Sequence, residues 1–289
     1  MGRGAGNPFL QKRVLRNSQS SRPITMKKFR AVVEYDGTNY HGWQLQKDLP
    51  TIQESIELAL ARILGTPTRV HGAGRTDAGV HAIGQVAHFS ADWRHSTEEL
   101  RKGCNALLPE DIVLRRLEPA SDDFHARHSA QSKLYEYQIF NQPVRAPLQR
   151  LYTWHLPYRL ELQLMVKASS YLIGSHDFAA FGSPTDGSPS TVREILEAGW
   201  ETADSHGVLR FAIRGTGFLR YMVRAIVGTL VIVGKGKITP EVFNEILMSC
   251  DRSLSGPTAP PHGLRLVSVD YDNSGREDSA ALWSGGKEK

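Results

Sequence analysis

Hydrophobic and polar residues along the first half of the chain follow two periods, which predict alternating strands and helices. Residues 29–35 alternate and end at Asp36-Gly37, so they predict a half-buried strand. Residues 52–63 place apolar side chains at helical spacing, after a capping position at Thr51 and before Gly65. The same reasoning predicts strands at 68–71 and 85–90, a helix between Ser96 and Pro109, and a strand at 111–117.

The second half repeats this order of elements. It predicts a strand at 133–140, a helix at 160–173 closed by Gly174, strands at 193–203 and 208–214 joined by a turn at 205–207, helices at 219–233 and 240–248, and a strand at 264–271. This layout favours an α+β fold of two split βαβ units, ferredoxin-like or RRM-like, each with an antiparallel sheet. Joined edge to edge, the halves would form one extended antiparallel sheet with a central cleft.

Domain boundaries are expected near residues 29, 131 and 273. Residues 29–130 and 131–272 would form an N-terminal and a C-terminal subdomain. The first 30 residues hold eight basic and no acidic side chains, and residues 1–28 are predicted to be a disordered basic arm. Residues 273–289 are mostly polar and are predicted to be a disordered tail.

Composition narrows the class of protein. The formal net charge of +5 favours a polyanionic partner, although basicity serves other purposes as well. Two distant cysteines, Cys104 and Cys250, argue against a disulfide framework and favour a reducing, cytoplasmic setting. No segment approaches the roughly 20 apolar residues of a membrane span, so no membrane partner is expected.

The most unusual local sequence is H-G-A-G-R-T-D-A-G-V-H, residues 71–81. Glycines surround a single carboxylate, Asp77, with Arg75 two residues before it. Such spacing predicts a tight, exposed loop that presents Asp77. From the loop alone, an Asp that merely caps a turn is the commoner explanation.

A second loop, T-N-Y-H-G-W-Q-L-Q at 38–46, is rich in side chains that stack on bases or bond to their edges: Tyr40, Trp43, Gln44 and Gln46. Taken singly, each is equally well explained as part of a loop folded over the core. Arg224 lies in the apolar run M-V-R-A-I-V, where a guanidinium is costly unless an anion meets it. The alternatives are a structural ion pair with some other acid, or an Arg that reaches solvent.

These motifs resemble, in order and over residues 29–272, those of the TruA family of tRNA pseudouridine synthases. The matching stretches are R-T-D-A-G-V-H, Y-H-G-W-Q-L-Q and K-L-Y-E-Y, while Ala225 departs from the Asn that many members have after the Arg. The resemblance implies that Asp77 is the catalytic nucleophile and that Arg224 forms an ion pair with it. It further implies that Tyr135 lies against the target base and that Leu264 lines the base pocket.

Basic side chains are the candidates for contacts with RNA phosphates: Arg75, Arg127, Lys133, Arg193 and Arg220. None of the eleven histidines has convincing zinc spacing, so no metal is expected. The resemblance implies base flipping and isomerisation of uridines 38, 39 and 40 in the tRNA anticodon stem-loop, without a cofactor, by a homodimer. Two alternatives remain: a non-catalytic RNA-binding protein with RRM-like sheets, and a hydrolase using Asp77, which lacks a distinctively placed second carboxylate.

Overall fold

A computed structural model describes residues 25–184, 190–202 and 207–271. Within these ranges the chain forms ten strands and five α-helices. The strands are β1 Lys27–Tyr35, β2 His71–Gly72, β3 His81–Ala91, β4 Ile112–Pro119, β5 Ser132–Phe140, β6 Trp154–His155, β7 Gly174–Asp177, β8 Val192–Thr202, β9 Val208–Gly215 and β10 Leu264–Asp270. The helices are α1 Ile52–Leu64, α2 Thr97–Leu107, α3 Leu162–Ser170, α4 Met222–Gly234 and α5 Pro240–Ser249.

All ten strands belong to one sheet, whose main path runs β4-β1-β3-β10-β5-β9-β8-β7. The short strands β2 and β6 pair with β3 and β5. In the first half the order is β4-β1-β3-β2, and the long strands of the second half repeat it as β10-β5-β9-β8. This repeated order is that of a split βαβ unit, so the predicted α+β fold is confirmed.

The two halves of the sheet meet where β3 lies beside β10. Their pairing is parallel and short, with His81 opposite Arg265 and Ala82 opposite Leu266. A methyl group on Gly84 would lie 2.1 Å from the carbonyl oxygen of Val267, so only glycine permits this approach of the two backbones. The main path of the sheet is therefore antiparallel within each half and parallel at the joint, while the short strand β6 pairs in parallel with β5.

One cluster of buried apolar residues extends through both halves. On β1, Phe29, Ala31 and Val33 are buried while the alternate residues are partly exposed, as the period of two predicts. Helices α1 and α2 contact each other, and so do α3, α4 and α5. None of the helices in the described ranges has the length and apolar character of a membrane span.

Several predicted boundaries were wrong. The expected strand at 68–71 is reduced to His71–Gly72, and β3 begins at His81 rather than 85 because its first residues pair with β10. The helix expected to end at Gly174 ends at Ser170, and Gly174 instead opens β7. The polar sequence of β7, G-S-H-D, carries no apolar alternation that would have indicated a strand.

Other expectations lie at or beyond the edges of the described ranges. Strand β1 includes Lys27 and Lys28, which had been assigned to the arm, while residues 1–24 lie outside the description. The predicted tail at 273–289 and most of the turn at 205–207 also lie outside it. Residues 120–131 connect the two halves of the sheet, so the boundary predicted at 130 falls in this connection.

We expect Gly84→Ala to lower the free energy of unfolding by about 1–3 kcal/mol, because its methyl group would overlap the backbone of β10. The matched control is Gly199→Ala in β8, where an added methyl meets no atom within 4 Å. That variant should be neutral or stabilising by about 0.5 kcal/mol. Denaturant unfolding of both variants measures the difference, and equal effects would contradict the role of Gly84 at the joint.

Candidate active site

Asp77 and Arg224 form an ion pair across the joint between the two halves. Nη1 of Arg224 donates to Oδ2 of Asp77 at 2.9 Å. The side chains are 12% exposed for Arg224 and 23% for Asp77. Among the described residues, no hydrogen bond reaches Oδ1 of Asp77, which leaves this oxygen accessible.

Backbone contacts hold the loop that carries Asp77. The amide of Val80 donates to the carbonyl oxygen of Asp77 at 3.1 Å, which closes a turn with Gly79 at φ 75°. Gly42 lies directly behind this turn, and its φ of 87° favours glycine. A methyl group on Gly42 would lie 2.4 Å from the carbonyl oxygen of Thr76, so the loop at 38–46 is a close-fitting support for Asp77.

Side chains complete the support of the loop. The hydroxyl groups of Tyr35 and Thr76 are hydrogen bonded at 2.8 Å, and burial raises the pKa of Tyr35 to about 12. Nε2 of Gln85 donates to the carbonyl oxygen of Gly74 at 2.8 Å. The segment that leads into Asp77 is therefore tied to strands β1 and β3.

Arg224 is positioned by helix α4, in which every residue except Arg224 and Ile232 is buried. Its Nε donates to the carbonyl oxygen of Ala259 at 2.8 Å, and the amide of Ala259 returns a bond to the carbonyl oxygen of Arg224 at 3.0 Å. Gly228 allows the segment containing Ala259 to lie against the helix, because a methyl there would be 1.7 Å from the carbonyl oxygen of Pro257. The guanidinium thus has two fixed partners, which define its direction.

Tyr135 and Leu264 lie on the same face of the sheet, beside the Asp77 loop. Leu264 is opposite Tyr137 in the register of β5 and β10, and Leu266 is opposite Tyr135. Burial, with smaller contributions from Tyr35 and Asp77, raises the pKa of Tyr135, so its hydroxyl keeps its proton. A methyl on Gly74 would be 3.7 Å from this hydroxyl oxygen, which confirms that Tyr135 borders the loop.

Tyr40 and Trp43 support the loop rather than offer a surface for bases. Tyr40 is 8% exposed and Trp43 is 2% exposed. The hydroxyl of Tyr40 donates to Asp111 at 2.6 Å, and Trp43 packs against Gly72. The structure therefore favours the alternative in which both rings fold over the core.

Gln44 and Gln46 also bond within the protein. Nε of Arg75 donates to Oε1 of Gln44 at 3.2 Å, and Nε2 of Gln44 donates to Oε1 of Gln53 in α1 at 3.0 Å. This chain of bonds links an exposed cation two residues before Asp77 to the body of the N-terminal half. Nε2 of Gln46 donates to the carbonyl oxygen of His41 at 2.7 Å, which closes its own loop.

Arg127 lies near two further cations, Lys133 and Arg193. Burial and the nearby Arg127 lower the pKa of Lys133, and the same two causes lower the pKa of Arg193. Lys133 is 9% exposed, and none of the described residues supplies its ammonium group with a carboxylate or a hydrogen-bond acceptor. A methyl on Gly74 would be 3.5 Å from Cε of Lys133, so this buried cation borders the loop of Asp77.

Comparison with known proteins shows the family to which the chain belongs. Residues 31–129 and 168–272 match a family model described as tRNA pseudouridine synthase. The chain belongs to the tRNA pseudouridine synthase family. It is 44% identical to the tRNA pseudouridine synthase A of Thermoanaerobacter sp. (strain X514) and 45% identical to that of Geotalea uraniireducens, covering 85% of this chain and all of each relative. That of Streptococcus mutans is 41% identical over 86% of this chain and all of the relative.

His81, the last residue of R-T-D-A-G-V-H, has a structural role that the sequence did not indicate. Its Nδ1 lies 3.1 Å from the amide of Gly37 and 3.0 Å from Oδ1 of Asp36. Its Nε2 lies 3.0 Å from the carbonyl oxygen of Leu151 and 3.2 Å from that of His262. One imidazole therefore joins segments from both halves, a role that only the assembled structure reveals.

Sequence reasoning also missed that four histidines meet in space. The rings of His71 and His125 lie 5.0 and 4.5 Å from that of His88, and His128 lies 4.2 Å from His125. Burial, with the neighbouring imidazoles and Lys28, lowers the pKa of His88 to about 4. Within the described ranges, no group of three or more His, Cys, Asp or Glu residues is arranged to hold a metal ion.

We expect Gly42→Ala to reduce both stability and pseudouridine formation in this synthase. The matched control is Gly65→Ala, which shares a positive φ of 72° but has nothing within 4 Å of an added methyl. In both variants the free energy of unfolding should fall by about 1–2 kcal/mol, because a residue with a side chain is strained in the left-handed conformation. Only Gly42→Ala should also displace Asp77 and lose activity under conditions where it is folded. Equal activity in the two folded variants would refute this supporting role.

Proposed function

We propose that this protein isomerises uridine to pseudouridine at positions 38, 39 and 40 of the tRNA anticodon stem-loop, with Asp77 as nucleophile. Membership of the tRNA pseudouridine synthase family makes the chain an isomerase that acts on tRNA. The observation that supports the role of Asp77 is its ion pair with Arg224. The three positions come from the resemblance of the motifs around both residues to those of the TruA family.

The reaction breaks the bond between N1 of uracil and C1′ of ribose, turns the base while it stays bound, and joins C5 to C1′. The proton on C5 is lost and N1 gains one, so the reaction needs neither an oxidant nor a water molecule. Asp77 would attack C1′, remove a ribose proton, or add to the uracil ring. Each route needs one carboxylate oxygen in a fixed direction, and Arg224 supplies this by holding Oδ2 while Oδ1 stays accessible.

Tyr135 and Leu264 are the proposed contacts of the flipped base. Both are less than 8% exposed, and both lie on the face of the sheet beside the Asp77 loop. The ring of Tyr135 would lie against uracil, and its protonated hydroxyl would donate a proton or a hydrogen bond to the base. Extracting a paired base costs roughly a few kcal/mol, which such contacts would offset.

Lys133 and Arg127 are the proposed contacts of a phosphate near the target nucleotide. The side chain of Lys133 is largely buried, which lowers the pKa of its ammonium group, and a phosphate would supply a counter-charge that none of the described residues provides. Arg75 and Arg220 are exposed and lie near the two members of the ion pair, so they are further candidates. Gln44 and Gln46 remain candidates at the edge of the same loop.

The form and location of the enzyme are also proposals. The resemblance favours a homodimer that binds tRNA with both subunits and works without a metal or a cofactor. A cytoplasmic location is supported by free thiols at Cys104 and Cys250, since disulfides rarely persist in a reducing compartment. Family membership favours the enzyme over the RNA-binding and hydrolase alternatives.

We expect Asp77→Asn to lower pseudouridine formation by at least roughly a thousandfold, because the amide keeps a bond to Arg224 but cannot act as a nucleophile. Affinity for tRNA should change little. Tritium release from tRNA labelled at C5 of uridine measures the first effect, and filter binding measures the second. Asp92→Asn, at the opposite end of β3 from His81, is the control and should keep full activity. An active Asp77→Asn enzyme would overturn the proposed mechanism.

We expect Lys133→Met to weaken tRNA binding without loss of stability, because it removes the charge of a largely buried side chain that has no partner among the described residues. The slope of log Kd against log salt concentration should fall by about 1, as it does when one phosphate contact is lost. Lys102→Met is the control, since Lys102 is 70% exposed and pairs with Glu98 on α2. Unchanged affinity and slope in Lys133→Met would exclude a phosphate contact at Lys133.

A further inference from the structure

Tyr221, immediately before α4, has a backbone conformation that normally belongs to glycine. Its φ is 64° and its ψ is 0°. The amide of Met222 donates to the carbonyl oxygen of Leu219 at 3.3 Å, so Tyr221 occupies the third position of a type II turn. A large side chain there is strained, and strain of this kind persists where the surrounding structure holds it for a purpose.

Neighbouring backbone holds the turn firmly. The amide of Arg220 donates to the carbonyl oxygen of Ser183 at 3.2 Å, and the amide of Ser183 donates back at 3.4 Å. Gly182 lies so close that a methyl would be 2.7 Å from Cβ of Leu219. The amide of Ala225 then donates to the carbonyl oxygen of Tyr221 at 2.9 Å, which starts α4. The direction of the Tyr221 side chain is therefore set by the backbone rather than by burial, since the residue is 40% exposed.

The ring of Tyr221 lies against the guanidinium that holds Asp77. Cζ of Arg224 is 5.4 Å from the ring centroid, within the range of a cation–π contact. Cζ of Arg220 is 4.7 Å from the same centroid, and its Nη2 donates to the Tyr221 hydroxyl at 2.7 Å. The guanidinium of Arg224 thus has three supports: Ala259 at Nε, Asp77 at Nη1 and the aromatic ring.

We propose that Tyr221 is a positioning residue for the reaction: its ring holds the Arg224 guanidinium in the direction that orients Asp77. This inference rests on the proposed function of the ion pair. While Oδ1 of Asp77 reacts, Arg224 must keep its direction in order to hold Oδ2, and Ala259 and the ring supply the two supports that do not depend on Asp77. The left-handed turn places the ring where a side chain in the helical conformation would not lie.

The test uses the full-length enzyme with Tyr221→Asn, Tyr221→Gly and Tyr221→Phe. Asn and Gly suit the left-handed backbone but lack the ring, so both should fold and melt no lower than the parent protein. We expect them to lower kcat by about 10- to 100-fold with KM within about threefold, the effect of a misdirected catalytic group. Tyr221→Phe keeps the ring and loses only the bond from Arg220, so it should retain most of kcat.

A double-variant cycle shows whether the ring acts through Arg224. Arg224→Lys keeps the charge but loses the planar guanidinium, so adding Tyr221→Asn to it should have little further effect. Full additivity, equal loss in the Phe and Asn variants, or a loss confined to tRNA affinity would each overturn the proposal. A failure of the proposed function is recognised by a different measurement, because the Asp77→Asn enzyme would then stay active.

Discussion

The ion pair between Asp77 and Arg224 is the contact on which the arrangement of this protein depends. It joins a loop of the first half to a helix of the second, and its members are only 12% and 23% exposed. A partly buried pair of this kind contributes little net stability, because desolvation of both charges offsets their attraction. Its value lies in direction, since a carboxylate held through one oxygen presents the other at a defined place.

Several parts of the fold hold the Asp77 carboxylate in this direction. The backbone of Gly42 supports the Asp77 turn, Ala259 holds Arg224, and His81 joins segments from both halves. These contacts are made mainly by backbone groups and by glycines without side chains. The loop that contains Tyr40 and Trp43 is an example, because its large rings are buried and its backbone supports the neighbouring loop of Asp77.

The sequence predicted the periodic elements and the need for an anionic partner at Arg224, since the apolar period and the cost of burying a guanidinium are both local signals. That this partner is Asp77 was implied by the resemblance to the TruA family. It could not predict contacts that arise only in three dimensions. Strand β7 is defined by its neighbour β8 and not by apolar alternation. Nothing in the residue type of Tyr221 indicates its left-handed backbone, which is why α4 was expected to begin at 219 and begins at Met222. For Tyr40 and Trp43, the choice between stacking on bases and folding over the core likewise depended on their burial, which the sequence does not show.

The position of β10 in the sheet has a consequence for how the enzyme is made. This strand comes late in the chain yet lies between β3 and β5, at the centre of the sheet. During synthesis on a ribosome, the first half can form early, but its junction must wait until residues 264–270 have emerged. Pairings between such distant segments close slowly, so the end of β3 at His81 and Ala82 stays unpaired on that side during the interval. The order of translation therefore delays catalytic competence until β10 has been made.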